Sequence, residues 1–497
     1  MPAGGPSGHP GHIRDGANRQ VLKRIKETGD IFFAESDRPW ILDGANVHVS
    51  MVGFDKGDEM GRVLDGKAVS VINANLTGTA DITQARRLPE NANLAFMGDT
   101  KGGAFDIEEP LALQFLRQPN PHGIPNSQVV TPWVNGKDVT ARSRSMWIID
   151  FGVGMDEGDA SRFEAPFEYL REHVKPERDK NNREVYRRLW WQHVEARPGM
   201  RGALLKLPRF LATVAVAKHR LFVWMEERAL PDHAVFAFIR SDDYFFGVLQ
   251  SRFHEVWSRA QATQLREASS GTRYTPTTCF ETFPFPWPPG KESQEDPKVR
   301  AIAGAARELN ALREAWLNPP EWTKEEVLEF PGSATGPWAR FITKDGEGCR
   351  TSRHDVNGGP VTSRHDGNGG SVILASEARP ESDSGQAGMT DPEGASDSFS
   401  PIRNSQFSIR NPEASSLGLV RYPRLVPKDD ACAALLKKRT LTNLYNQRPT
   451  WLDLAHERLD AAVAAAYGWT AEDARGLSDG QILERLLALN LGRTGAQ

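Results

Sequence analysis

Cysteine is scarce in this chain: Cys279, Cys349 and Cys432 are the three among 497 residues. An odd number so far apart fits neither a disulfide framework nor metal-ligand spacing, so free thiols in a reducing cytoplasm are expected. Long apolar runs are missing too, and candidates for the roughly 18 residues a membrane helix needs are broken by Arg, Lys or Pro. The opening segment, MPAGGPSGHPGHIRDGANRQ, lacks the apolar core of a signal peptide. Neither sign of charge prevails, with 61 Lys plus Arg against 65 Asp plus Glu. The 39% of hydrophobic residues suffices for real cores, in about two to four domains at this length.

Charge is nevertheless uneven along the chain. Between Arg171 and Arg220 stand thirteen Lys plus Arg against five Asp plus Glu, and a local basic field attracts polyanions, most often nucleic acid. Much of that surplus lies in REHVKPERDKNNREVYRRLWWQHVEARPGMR, which a solvated surface helix explains as well, so charge alone leaves both readings open. Downstream, PRFLATVAVAKHRLFVWM reads as strand until Lys218, His219 and Arg220 interrupt it. Such a cationic triplet cannot be wholly buried in mid-strand; it is expected at a strand end or turn, facing a partner. A second strand, Val235 to Ile239, is followed by Ser241 and Asp242 as a helix cap. Phe245, Val248, Leu249, Phe253, Val256 and Trp257 then recur at helical spacing. The result is a rigid platform with a basic edge.

Taken in order, residues 1–18 are rich in Gly, Pro and His and are expected to lack structure. ANRQVLKRIKETG reads as a helix stopped by Gly29, and DIFFAES, ANVHVSMVGFDKG and GKAVSVINANLT as strands, the last two joined by a turn around Asp65 and Gly66. That sheet looks incomplete. Residues 343–417 shift to Gly, Ser, Asp and Asn, repeat TSRHDVNGG as TSRHDGNGG, and are expected to be a disordered insertion. Their His-Asp pairs have no preorganised metal geometry. RAIAGAARELNALREAWL before it, and LLKKRTLTNLY, TWLDLAHERLDAAVAAAYGW and SDGQILERLLALN after it, read as amphipathic helices. Residues 295–342 and 418–492 are therefore expected to form one helical domain.

A family resemblance runs through these segments. VLKRIKETGDIFFAESDRPWILDGANVHVSMVGFD resembles the last catalytic strands of the MmeI-like class I S-adenosylmethionine (SAM)-dependent DNA methyltransferases of restriction-modification systems. In the same order follow MGDTKGGAFDI, NSQVVTPWVNGKDVT, IDFG, the basic segment beginning PFEYLREHVKPERDK, KHRLFVW, ASSGTRYTPTTCFETFPFP and RTLTNLYNQRPTWLDLAHERLDAAVAAAYGW. The similarity extends from Ala17 to Ala339 and from Leu419 to Asn490. It implies a mixed α/β and α+β multidomain fold: the remnant of a Rossmann-like methyltransferase sheet over 19–108, a mixed α/β target-recognition domain over 109–290, and the helical C-terminal domain.

The resemblance also places Lys218, His219 and Arg220 where relatives carry base-reading residues, with Arg209 on the strand before them. Reading a major groove requires such donors on a rigid edge. Arg187, Arg188, Arg197 and Arg201 are candidates for phosphate contact, as are Thr272 and Arg273 in the turn GTRYTP, for which a plain surface turn is the other explanation. Trp190 and Trp191 suit a core better than base stacking.

Other family parts are missing. A SAM site needs a Gly-rich turn after the first strand of the sheet, and a flipped adenine needs an Asn/Asp-Pro-Pro-aromatic loop. FGVG at 151–154 comes too late, and Asn318-Pro319-Pro320-Glu321 has Glu in the aromatic position and sits where a helix ends. No catalytic, SAM-binding or metal-binding residue is thus assigned. The expected function is a DNA adenine-N6 methyltransferase, N-terminally truncated or split, that retains recognition of duplex DNA. A specificity protein that works with a separate chain carrying the missing strands is the alternative, and a degenerate gene product a third.

Overall fold

The computed structural model describes residues 16–42, 45–74, 76–78, 80–226, 228–264, 271–343 and 417–495. The repetitive insertion and Cys349 lie outside these residues. The first helix, Gly16–Thr28, turns Leu22 and Ile25 onto one face and stops at Gly29, where a Cβ would lie 2.0 Å from the Asp55 carbonyl oxygen. Strands Asp30–Leu42 and Ala45–Asp55 pair antiparallel, and Arg62–Leu64 joins the first of them in parallel. Asp65 and Gly66, both at positive φ, turn the chain into Lys67–Val69. The expected third strand is thus only three residues long: Ile72, Ala74 and Leu76 leave the sheet and fill a small core with Leu22, Ile31 and Ala34.

The chain enters its second body before residue 108. Ala95–Met97 pairs with Val235–Phe238, completing an antiparallel sheet in the order Val223–Glu226, Arg209–Val214, Val235–Phe238, Ala95–Met97. Both faces of this sheet are covered. Phe210, Ala212, Val214, Val235 and Ala237 point into one core with Trp133, Trp147 and Trp190, whereas Leu211, Phe236 and Phe238 point into another with Phe245, Trp257 and Phe280. A second sheet, in the order Leu230–Pro231, Val130–Val134, Trp147–Ile149, Asp106–Ile107, lines the first of these cores.

Asp242 caps the packing helix as expected, accepting from Phe245 N at 2.9 Å. The helix is interrupted once. Ser251 takes an extended conformation between Asp243–Gln250 and Arg252–Gln261, and the freed Arg252 N–H donates to Asp460 Oδ1 at 2.8 Å. Asp460 belongs to Thr450–Ala466, which packs with Pro297–Leu317 and Asp479–Gly495 around the same core. The C-terminal region is not wholly helical. Thr323–Ser333 and Leu417–Pro427 form a long antiparallel ribbon whose Leu328, Phe330 and Val420 enter the core of the second sheet, an alternation that helical spacing cannot supply. Asn318 ends the long helix, its Oδ1 accepting from Arg142 Nη1 at 2.9 Å, so the Asn-Pro-Pro run is a helix stop.

Gly247 lets its helix lie close against Pro297–Leu317 and Thr450–Ala466. A Cβ there would lie 2.7 Å from Ile302 Cγ2, 3.0 Å from Ala306 Cβ and 3.2 Å from Leu459 Cδ1. Helix propensity favours alanine by about 1 kcal/mol, but overpacking costs roughly 1–3 kcal/mol. Gly247→Ala is expected to lower the urea midpoint and Gly247→Val to lower it further; unchanged midpoints would mean that the helices yield freely.

Candidate nucleic-acid interface

The basic turn forms where the central strand leaves its sheet. Beyond Val214 the Ala215 N–H still donates to Ala234 O at 2.7 Å, but Val216–Ala217 pairs with Thr272–Arg273, which also pairs with Thr263–Gln264. Residues 218–222 then cross outside any strand to Val223–Glu226. Gly271 permits this crossing: it stands at φ +84°, and a Cβ would lie 2.2 Å from Ala217 O and 2.7 Å from Lys218 N. The triplet therefore occupies a turn, as its charge requires.

Its three members part ways. Lys218 is exposed and His219 half-buried, and both reach Asn446 Oδ1, Lys218 Nζ at 2.7 Å and His219 Nε2 at 2.9 Å. Arg273 is exposed on the neighbouring strand, opposite Val216. Arg220 is turned inward. Only 8% exposed, it donates to Thr213 Oγ1 at 3.2 Å, Val214 O at 2.5 Å and Thr272 O at 3.2 Å, and stacks on the Tyr274 ring. Burial pulls its guanidinium below the usual arginine range. Behind it burial pushes the His254 pKa down to about 3, so that ring is neutral and accepts from the Tyr274 hydroxyl at 3.1 Å. Arg220 thus braces the turn and is not presented to a groove.

Arginines elsewhere in the basic segment are similarly committed. Arg209 donates to Ser241 O at 3.1 Å and Asp243 Oδ1 at 2.8 Å while lying on the Trp224 ring. Arg201, expected at phosphate, is drawn between Asp99 and Asp150 beside buried His193, and Arg197 pairs with Glu195. Paired Arg201 holds the Asp150 carboxyl at about 2 against the opposing effect of burial. Arg178 is buried on the carbonyls of Lys101, Gly102 and Gln192. Arg187 and Arg188 remain exposed on the short helix Glu184–Arg188. Trp190 and Trp191 are core residues, donating to Glu157 Oε1 and Met155 O.

The family model described as "MmeI, target recognition domain" covers residues 217–287, beginning at the foot of this turn. This segment matches the MmeI target recognition domain. A solved structure of the Type IIL restriction-modification enzyme MmeI in complex with DNA shares the fold, at 14% identity and a TM-score of 0.57, over 97% of this chain and 49% of that one. The chain therefore spans about half the length of that MmeI structure. No curated protein matches it. Within the MmeI-matching segment, Lys218 and Arg273, named from the sequence, are exposed at this turn and His219 is half-buried there. Gly271 gave no sign of its positive φ, and Asn446, which meets His219 from 227 residues away, has no local signal to mark it.

Arg220→Ala would remove the charged donor from Val214 O, Thr272 O and the Thr213 hydroxyl, which keeps its own bond to Leu221 O, at a cost of about 2 kcal/mol. The urea midpoint should fall accordingly, whereas Lys218→Ala should leave it nearly unchanged; equal midpoints for the two variants would return Arg220 to the list of exposed readers.

Proposed function

We propose that this chain is the DNA target-recognition portion of an MmeI-type restriction-modification methyltransferase, reading duplex DNA at the edge that carries Lys218, His219 and Arg273. The observation that carries the proposal is the position of the family match, which starts at residue 217 beside an exposed cation in the turn, Lys218, and another on the strand that braces it, Arg273. Lys218 supplies donors for guanine O6 and N7, His219 one ring edge, and Arg273 a guanidinium for base or phosphate. Arg187 and Arg188 add sequence-independent attraction. The reaction served is transfer of a methyl group from SAM to adenine N6.

The Gly-x-Gly turn at 152–154 does not fit a SAM site. A strand, this turn and a helix follow one another at Trp147–Ile149, Gly152 to Gly154 and Glu157–Ser161. That strand lies between antiparallel neighbours and the helix has five residues opened by Asp156 and Glu157, whereas a doubly wound SAM site uses the carboxyl end of parallel strands. One observation favours the second reading, a specificity protein completed by another chain. Ala45–Asp55 and Lys67–Val69 are the outer strands of the first sheet, and Ile41 and Phe54 on it are exposed at 74% and 57%. Such an edge suits pairing with further strands.

Fluorescence anisotropy tests the electrostatics: affinity for duplex DNA should fall on the order of tenfold or more between about 50 and 200 mM salt, and salt-independent binding would remove the proposal. Selection from a random duplex library tests readout. Lys218→Ala should lose roughly 1–3 kcal/mol of discrimination, while Arg187→Ala and Arg188→Ala weaken binding to all sequences alike; one motif shared by every variant rejects the assignment. Finally, this chain alone should incorporate no label from radiolabelled SAM into mixed-sequence DNA, and incorporation above a heat-killed control would contradict the cofactor argument.

A further inference from the structure

We propose that Asn446, on the C-terminal helix Leu441–Gln447, is a positioning residue for target recognition, setting the side chains of Lys218 and His219 through its carboxamide oxygen. The proposal rests on reading the Lys218 edge as the DNA-contacting surface. It adds to that surface a residue outside the segment that matches the recognition domain.

The chemistry of the contact decides its orientation. A lysine ammonium has donors only, so the amide atom 2.7 Å from Lys218 Nζ is the oxygen, and the histidine nitrogen 2.9 Å from the same oxygen must also donate. With Nε2–H engaged, a neutral His219 ring has Nδ1 as its acceptor, which suits a base amino group. A free lysine side chain loses rotamer entropy on being fixed. Anchored beforehand on Asn446, Lys218 has lost part of that freedom before DNA arrives.

The helix that carries Asn446 is itself held on two sides. Thr442 Oγ1 donates to Thr140 O at 3.0 Å in the recognition body, while Leu444 is fully buried and Tyr445 meets His456 Nε2 at 2.8 Å within the helical layer. The Tyr445 ring also stands 6.0 Å from the His219 ring. Asn446 is exposed at the end of this helix, so its side chain contributes little to the core.

The test uses the full chain and a duplex selected by the wild type from a random library, with discrimination measured as the ratio of Kd for single-base mismatches to Kd for the selected duplex. Asn446→Ala should lower that ratio roughly tenfold at the position read by Lys218 or His219, with no change in the urea midpoint or in affinity for unrelated duplex. Asn446→Asp keeps an acceptor for both donors and should restore the ratio to within about twofold, although its charge weakens binding to every sequence. Full discrimination in Asn446→Ala overturns the proposal. Equal loss in Asn446→Asp also overturns it, because the oxygen would then not be what matters. A wild-type chain that selects no motif instead overturns the reading on which the proposal rests.

Discussion

The constraint on which the rest depends is a strand buried on both faces. Arg209–Val214 sends Phe210, Ala212 and Val214 into one core and Leu211 into the other. A strand so enclosed has no solvent face for charge, and the chain can present cations only after it has left the sheet. It does so at Ala215, and the short pairing of Val216–Ala217 with Thr272–Arg273 gives the emerging turn a rigid base. Arg313, reaching from the long helix to Phe222 O at 2.9 Å, fixes the point where the chain re-enters the sheet. The exposed residues between these fixed points inherit their rigidity from the two cores.

That arrangement also explains the fate of the basic segment. The surplus between Arg171 and Arg220 is real in the sequence, but acids from elsewhere in the chain neutralise much of it: Glu168 pairs with Arg171, Asp99 and Asp150 with Arg201, and Asp243 with Arg209. Arg178 and Arg220 are used as multidentate braces for carbonyl oxygens, a task suited to a planar guanidinium with five donors. The surface field is consequently narrower than the count suggests. Exposed cations remain at Lys218 and the neighbouring Arg273, and further off at Lys180, Arg183, Arg187, Arg188 and Lys206.

The C-terminal region contributes in two ways. Its helices bury the underside of the packing helix Asp243–Gln250 through Ile302, Ala306 and Leu459, and its ribbon closes the opposite core with Leu328, Phe330 and Val420. Asn446 then reaches back to the edge itself. The two-sheet body and the C-terminal helices share cores and hydrogen bonds, so the edge is set by segments hundreds of residues apart.

The sequence by itself determined the local elements that solvent and backbone chemistry enforce: the Gly29 stop, the Asp65-Gly66 turn, the Asp242 cap, the buried periodicity of Phe245 to Trp257, and the removal of a cationic triplet from mid-strand. These follow from φ preferences, capping and apolar spacing over a few residues, and the family resemblance rested on the same local runs. Only the tertiary structure decided which arginines face water, because the acids and carbonyls that claim Arg201, Arg209 and Arg220 come from other strands and helices. It also decided that Thr323–Ser333 is strand, since its partner Leu417–Pro427 lies beyond the insertion. Asn446 joined Lys218 and His219 for the same reason: a long-range hydrogen bond leaves no periodicity in the chain, and folding alone brings its ends together.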